Sequence, residues 1–444
     1  MINADIIVIG AGPGGYEVAA ERARAGHKVV LIDYAFPGGT CLNRGCIPTK
    51  CLCASAEAAI NAAESAAFGV ECGPVKVDYG KVVERMDSIV SGLRDDVRAL
   101  IAPCLFVQGA ARILPDGSVG VGDETYSAPK VLIATGSQPS ELPIPGADLT
   151  INSDGVLQLE QLPAEMVIIG AGVIGLEFAS IMSAFGVQVT VVEYFKEVLP
   201  PFDREVAKRL RSMLSRRGIK FVLGASVTAV GKDAGGRKTV TYTGKKGDET
   251  IAADEVVMAV GRRPVVPQGL AEAGIEVDRR GYIVTDANMR TTRPGFYAVG
   301  DCNGRLMLAH AATAQARVAL GEDVDLTAIP SAVFTFPEAA MVGLTAEQAD
   351  SQGIAYRVSK GLFAANGKAR AIGHADGMIK VIYAADTRRL LGCHIVGPHA
   401  SDLIQEAAVA LAARLTVDDL STRIVHGHPT LSEVMAQATR ARRL

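Results

Sequence analysis

The chain has 444 residues, 49% of them hydrophobic and 21% charged, with a formal net charge of -3. It is too long for one ordinary core, so roughly two to four domains are expected, with the composition of a globular protein. The near-neutral charge excludes the basic face of a nucleic-acid binder, and no apolar run reaches the roughly 18 residues of a membrane span.

The first predicted element is the apolar strand Ile6 to Ile9, with none of the basic lead or cleavage site of a signal peptide. It runs into Gly10-Ala11-Gly12-Pro13-Gly14-Gly15, opens a helix and closes with an apolar strand ending at Asp33. The first glycine of such a unit makes the tight turn, the second admits a pyrophosphate, and the third lets helix and strand pack closely. A terminal acid suits a ribose hydroxyl. Taken alone, this glycine pattern is as compatible with simple packing as with binding.

Next comes Gly38-Gly39-Thr40-Cys41-Leu42-Asn43-Arg44-Gly45-Cys46-Ile47-Pro48-Thr49-Lys50. In an ideal helix, residues five apart are separated by about 7.5 Å along the axis, beyond the roughly 7 Å reach of a disulfide between Cα atoms. The backbone is therefore expected to leave helical geometry between Cys41 and Cys46, with Gly45 and Pro48 suited to the break. A bridge across so short a loop adds little stability, which leaves reactivity as its use. Lys50, four residues beyond Cys46, is expected on the same helical face, where a cation favours thiolate. The bland alternative is two ordinary buried cysteines and a surface lysine. That description is assigned instead to Cys51, Cys53, Cys72, Cys104, Cys302 and Cys393. Eight cysteines in this length make no disulfide scaffold and imply a reducing compartment, the cytoplasm. Zinc is disfavoured, since no second ligand pair has usable spacing.

Val131 to Ile133 is a strand ending in the turn Ala134-Thr135-Gly136-Ser137, and Leu142-Pro143-Ile144-Pro145-Gly146 reads as a linker. Residues 170–193 then repeat residues 10–33. Glycines match at Gly10/Gly170, Gly12/Gly172, Gly15/Gly175 and Gly26/Gly186, and the acid, Asp33 or Glu193, lies 23 residues after the first glycine in both. Two copies in register make coincidence a poor explanation and predict two bound dinucleotides. The Glu193 carboxylate would repel a phosphate on a bound ribose, with Lys196 offset by Glu197. Further strands end at Gly261-Arg262-Arg263-Pro264 and at Gly300-Asp301. From about Pro330 the pattern changes to alternating strands (Met378 to Tyr383, Leu390 to Val396) and an Ala-rich helix (Ser401 to Arg414), an α+β unit.

Residues 426–433 read His-Gly-His-Pro-Thr-Leu-Ser-Glu. Activating a dithiol takes a proton acceptor, and histidine oriented by a carboxylate suits neutral pH. His428 with Glu433 is the candidate pair. His27, His374, His394 and His399 read as ordinary histidines, and His426 as intermediate. The tail, Thr-Arg-Ala-Arg-Arg-Leu, has no cysteine.

Together these motifs resemble the flavoprotein disulfide reductases, class I, over essentially the whole chain and in the family's order. The disulfide string and His428-Pro429-Thr430-Leu431-Ser432-Glu433 are the specific parts. Ala134-Thr135-Gly136-Ser137, Gly300-Asp301 and Met307-Leu308-Ala309-His310 add to them. The resemblance implies an α/β fold with two Rossmann-like dinucleotide-binding domains, for FAD and NAD, and a C-terminal α+β dimerisation domain. Expected bounds are 1–145 for the FAD domain, 146–264 for the NAD domain, 265–329 for a central segment completing the FAD region, and 330–444 for the interface domain.

By the same resemblance, Cys46 faces the flavin and Cys41 exchanges with substrate. His428, oriented by Glu433, reaches the disulfide of the other subunit of a homodimer, and Lys50 pairs with Glu177. FAD contacts are expected at Gly10, Gly12, Gly15, Asp33, Gly39, Thr40, Lys50, Ala111, Thr135, Gly136, Asp301, Met307, Leu308, Ala309 and His310. NAD contacts are expected at Gly170, Gly172, Gly175, Glu177, Glu193, Val227 and Gly261, and no metal site is expected. The implied reaction is NAD-dependent oxidation of protein-bound dihydrolipoyl groups. The implied partners are lipoyl domains of 2-oxoacid dehydrogenase complexes or the glycine-cleavage carrier, with neither nucleic acid nor membrane. Leu431, where glutathione reductases usually carry serine, favours the lipoyl substrate. The cysteine-free tail argues against mercuric reductases and large thioredoxin reductases. The alternative is a related reductase acting on another low-molecular-weight disulfide. The chain departs from the family pattern at Gln315, where an acid is common, and at Gly427, where alanine is. It departs also at Arg44, in place of a small apolar residue, which is expected to add positive potential beside the substrate thiol.

Overall fold

The computed structural model describes residues 1–440, so the last four residues of the cysteine-free tail lie outside the described residues. Strand Ile6–Ile9 is buried along its whole length, as a near-continuous apolar run in a parallel sheet requires. It sits centrally in a parallel sheet, ordered Phe296–Ala298, Lys130–Ile133, Ile6–Ile9, Val29–Asp33 and Leu105–Gln108. The strand at 296–298, far away in sequence, thus extends the first nucleotide unit. Helix Pro13–Arg24 follows the first loop, with proline in its opening turn and Arg22 and Arg24 in its last.

The second repeat builds a parallel sheet ordered Lys220–Leu223, Gln188–Glu193, Glu165–Ile169 and Glu255–Met258, with helix Val173–Ala184 after its glycine loop. An antiparallel meander, Ser226–Lys232, Lys238–Gly244 and Gly247–Ala253, is attached to it. Strands Ser137–Pro139 and Arg262–Pro264 pair antiparallel, joining the two nucleotide units side by side. The C-terminal unit is an antiparallel sheet ordered Ser331–Val333, Glu338–Gly343, Leu390–Gly397, Met378–Ala384 and Tyr356–Leu362. Helices Ala400–Ala412 and Glu433–Thr439 pack on it. The α/β class with an α+β C-terminal unit is as expected.

One core ties the three units together. Leu52 and Ala56, on helix Cys46–Ala63, pack with Phe178 and Met182 of the second unit and with Val333 and Met378 of the C-terminal unit. Among the described residues no helix is long and apolar enough to cross a membrane.

Candidate active site

A cleft of about 1810 Å³ runs between the two nucleotide units. Single-ligand pockets span roughly 300–1,000 Å³, so this volume is commensurate with two dinucleotides. Both glycine loops line it, with Asp33 and Glu193. So do Gly39, Thr40, Lys50, Ala111, Thr135 and Gly136 from the first unit, Glu177, Val227 and Gly261 from the second, and Asp301 with the run 307–310. Gly15 and Gly175 stand behind the walls. A Cβ at Gly15 would lie 1.9 Å from the Gly10 carbonyl oxygen, and one at Gly175 would lie 2.1 Å from that of Gly170. The third glycine of each motif is therefore needed for the loop to pass the helix, as read from sequence.

The two acids repeat one local device. Asp33 accepts from the Ala11 N–H (2.6 Å) and the Ala35 N–H (2.8 Å). Glu193 accepts from the Ala171 N–H and the Phe195 N–H (2.8 Å). Each acid thus fastens its own glycine loop while presenting the cleft with an acceptor. Glu197 also holds Arg211, at 2.6 and 3.1 Å. Loop, helix N-terminus and acid together fit a dinucleotide in each half.

Cys41 lies in the short helix Gly39–Arg44, and Cys46 opens the helix Cys46–Ala63. The break falls at Gly45 (φ -143°, ψ -112°), where a Cβ would come within 2.9 Å of the Thr40 carbonyl oxygen. Pro48 makes no break. It sits in the opening turn of the second helix, where its missing N–H costs nothing. Both thiols are free and line the cleft. Hydrogen bonding from the Cys41 thiol, helped by Lys50 and opposed by burial and Glu177, brings Cys46 down to about 7. The same hydrogen bond and burial push Cys41 up. The pair is therefore unequal: one thiolate near neutral pH and one proton donor.

Lys50 stands on the face of Cys46, as its spacing predicts, and donates to both oxygens of Glu177 at 3.0 and 2.9 Å. Its ammonium also lies 4.1 Å from the Phe334 ring centroid, and the Phe334 N–H donates to Glu177 at 3.0 Å. Phe334 escaped the sequence reading because neither aromatic identity nor spacing marks it. Arg262 was passed over as a strand end. It donates to the Ser137 side chain (2.7 Å) and carbonyl (2.8 Å), and the Ser137 hydroxyl donates to Asp301. Gln315 does by amide what an acid does by charge: its buried oxygen accepts from the Gly300 N–H and from Asn303, both at 2.8 Å. An alanine at Gly427 would meet Thr430 at an ordinary 3.5 Å, so glycine there answers no steric demand.

Arg44 lines the cleft with both cysteines. Its guanidinium reaches Asp154 (3.6 Å) and the Tyr34 hydroxyl (3.4 Å), while Lys50 lowers both thiols and Glu177 opposes it at Cys46. Of the cysteines expected to be buried, Cys51, Cys53, Cys302 and Cys393 are, whereas Cys72 is exposed and Cys104 only half-buried.

His428 and Glu433 come together but not at the cleft. The His428 Nδ1 lies 3.0 Å from Glu433, whose other oxygen accepts from the Thr430 N–H at 2.9 Å. The histidine bond, first, and that N–H hold the Glu433 carboxyl below its usual range. The His428 side chain is 80% exposed, with the ring turned outward from its own chain. Asn366, which no motif flagged, holds the loop by donating to the Thr430 carbonyl at 3.0 Å. His426 is a buried anchor, with Nε2 2.8 Å from Glu406. His310 contacts the Pro330 carbonyl at 2.8 Å. Among the described residues, no group of three His, Cys, Asp or Glu side chains is placed to hold a metal ion.

Residues 4–316 match the family described as pyridine nucleotide-disulphide oxidoreductase, and residues 329–439 match its dimerisation domain. A dihydrolipoyl dehydrogenase of Chlamydia muridarum is 40% identical over 98% of this chain and 96% of its own. Those of Thermus scotoductus (40%, 98% and 97%) and Geobacillus stearothermophilus (37%, 98% and 96%) are similar throughout. The HOCl-induced flavoprotein disulfide reductase RclA from Escherichia coli superposes with a TM-score of 0.86 at 29% identity, covering 98% of this chain and 99% of the other. The chain thus belongs to the pyridine nucleotide-disulphide oxidoreductase family, an enzyme that works with FAD and NAD and ends in a dimerisation domain.

Proposed function

We propose that this enzyme oxidises dihydrolipoyl groups carried on protein, regenerating the lipoyl disulfide and producing NADH. Similarity along nearly the whole chain to enzymes named dihydrolipoyl dehydrogenase, with the thiol pair and the His428–Glu433 pair both intact, carries the reading. In the oxidised enzyme Cys41 and Cys46 form a disulfide. One substrate thiolate attacks the Cys41 sulfur, and Cys46 leaves as thiolate, the form its surroundings favour. The second substrate thiolate then displaces Cys41, closing the lipoyl disulfide and leaving both electrons on the enzyme dithiol. FAD, which Gly10, Gly12 and Asp33 would hold, would supply the two-electron acceptor for that dithiol and the hydride donor for NAD⁺, which Gly170, Gly172 and Glu193 would hold.

Lys50, held by Glu177, keeps positive charge beside Cys46. His428 of the partner subunit removes the substrate thiol protons at Nε2, while Glu433 holds its Nδ1. A homodimer with two shared sites follows from this reading, since the base of each chain faces outward. Lipoyl domains of 2-oxoacid dehydrogenase complexes or the glycine-cleavage carrier are the partners it calls for. Eight cysteines in a chain of this length, too few for a disulfide scaffold, suit the reducing cytoplasm.

The test compares turnover of dihydrolipoamide with NAD⁺ against glutathione disulfide with NADPH, and the first should dominate. Cys41→Ser and His428→Gln should each abolish turnover, while mixed dimers of the two variants should regain it. Faster turnover of the glutathione pair would sink the substrate reading, and inactive mixed dimers would sink the shared site.

A further inference from the structure

Arg44 takes no part in the chemistry above, yet it lines the same cleft. Its two contacts locate the guanidinium. Tyr34 immediately follows Asp33, the acid closing the first nucleotide motif. Asp154 lies on the short helix Ser153–Val156 on the opposite wall, where Ile151 pairs with Val257 of the second sheet. The contacts, at 3.6 and 3.4 Å, are long for hydrogen bonds and leave most of the five N–H donors uncommitted. Lys50, by contrast, is held by Glu177, and Arg262 by Ser137. Asp33, Asp154 and Asp301 all face this cleft, so a diphosphate entering it meets a negative field unless a cation compensates. A planar guanidinium with spare donors matches a diphosphate better than any other side chain.

We propose that Arg44 holds the diphosphate of FAD, giving up its loose contact with Asp154 to do so and slowing release of the cofactor. The inference rests on FAD occupying the first nucleotide half of the cleft. Burial raises the Asp33 carboxyl, and the Arg44 charge is among the influences holding it back, which agrees with the guanidinium lying over this end.

The test follows FAD release from the purified holoenzyme by free-flavin fluorescence in mild urea, with and without added salt. Arg44→Met should release FAD about tenfold faster than wild type, with a weaker dependence on salt. Arg44→Lys should recover part of the difference. Asp154→Asn, which removes the competing carboxylate, should release FAD no faster than wild type. Wild-type release from Arg44→Met overturns the proposal. So does Asp154→Asn releasing as fast as Arg44→Met, because the ion pair across the cleft would then be what retains FAD. Wild-type protein purified without FAD would instead overturn the cofactor assignment itself.

Discussion

Replacing Cys41 by alanine tests whether the reactivity of Cys46 is made by its neighbour. The Cys41 thiol is the first influence holding Cys46 down to about 7, ahead of opposing burial and of Lys50. A hydrogen bond to a charged group contributes roughly 1.5–3 kcal/mol, and about 1.4 kcal/mol corresponds to one pH unit. Cys41→Ala should therefore raise the Cys46 midpoint by about one to two pH units. At pH 7 the thiolate share then falls from about one half to roughly 1–10%. Cys41→Ser is the control, because its hydroxyl still donates and should keep much of the effect. The assay is the pH dependence of Cys46 alkylation by iodoacetamide, read by mass on the Cys46 peptide. With residue 41 replaced, no dithiol complicates it. Equal midpoints near neutrality in both variants would refute the reasoning and leave Lys50 as the cause.

Glu433→Gln removes the charge that holds the His428 ring, and dihydrolipoamide turnover should fall about 10²-fold with dimerisation intact; an unchanged rate would remove Glu433 from the site. Gly15→Ala and Gly175→Ala drive a methyl onto a backbone carbonyl at 1.9 and 2.1 Å in the two repeats. The first should cost bound FAD; the second should leave FAD in place and raise the KM for NAD⁺, and the reverse pattern would reassign the two halves. Asp203 caps helix Arg204–Arg216 and is fully buried against Lys380, whose ammonium lies 2.7 Å away. Burial raises the Asp203 carboxyl, but the Lys380 bond and neighbouring charges outweigh it and leave it below the usual range. Its stabilising effect is thus present above the ordinary carboxylate pKa and lost as pH falls through the lowered one. Lys380→Met should cost about 3–5 kcal/mol at neutral pH by leaving a buried carboxylate without its cation. That deficit in Tm should be full at neutral pH and shrink as pH falls below the ordinary carboxylate pKa of about 4, where Asp203 takes up a proton; a deficit unchanged from about pH 7 to about pH 3 would contradict this.

What could be read from the sequence was whatever is written as spacing. Both glycine motifs, the thiol pair, Lys50 on the face of Cys46, and Glu433 five residues from His428 are local patterns, and short-range geometry carries them into the fold. Phe334, Arg262 and Asn366 are different: their partners lie 157, 125 and 64 residues away, and nothing in the local chain announces them. Arg44 shows what spacing leaves out. Three residues after Cys41 it belongs to the same helical face, but its ion-pair partner Asp154, 3.6 Å away, arrives from another unit. Pro48 is the position that misleads, since a proline in the opening turn of a helix looks in sequence like one that ends it.

Glu177 shows why the electron-transferring end of the cleft depends on more than the unit bearing the cysteines. Its carboxylate sits on the helix of the second repeat and accepts from Lys50 of the first unit and from the Phe334 N–H of the C-terminal unit. One nearly buried anion therefore satisfies two donors from two other regions, and Lys50 in turn favours the Cys46 thiolate. Shifting any of the three units relative to the others would leave a buried charge without its partner, which costs far more than a surface pair yields. The shared core around Leu52, Phe178 and Val333 is what prevents such a shift. The thiolate at Cys46 is thus a property of the assembled junction, and substitutions in that core should reach it without touching either sulfur.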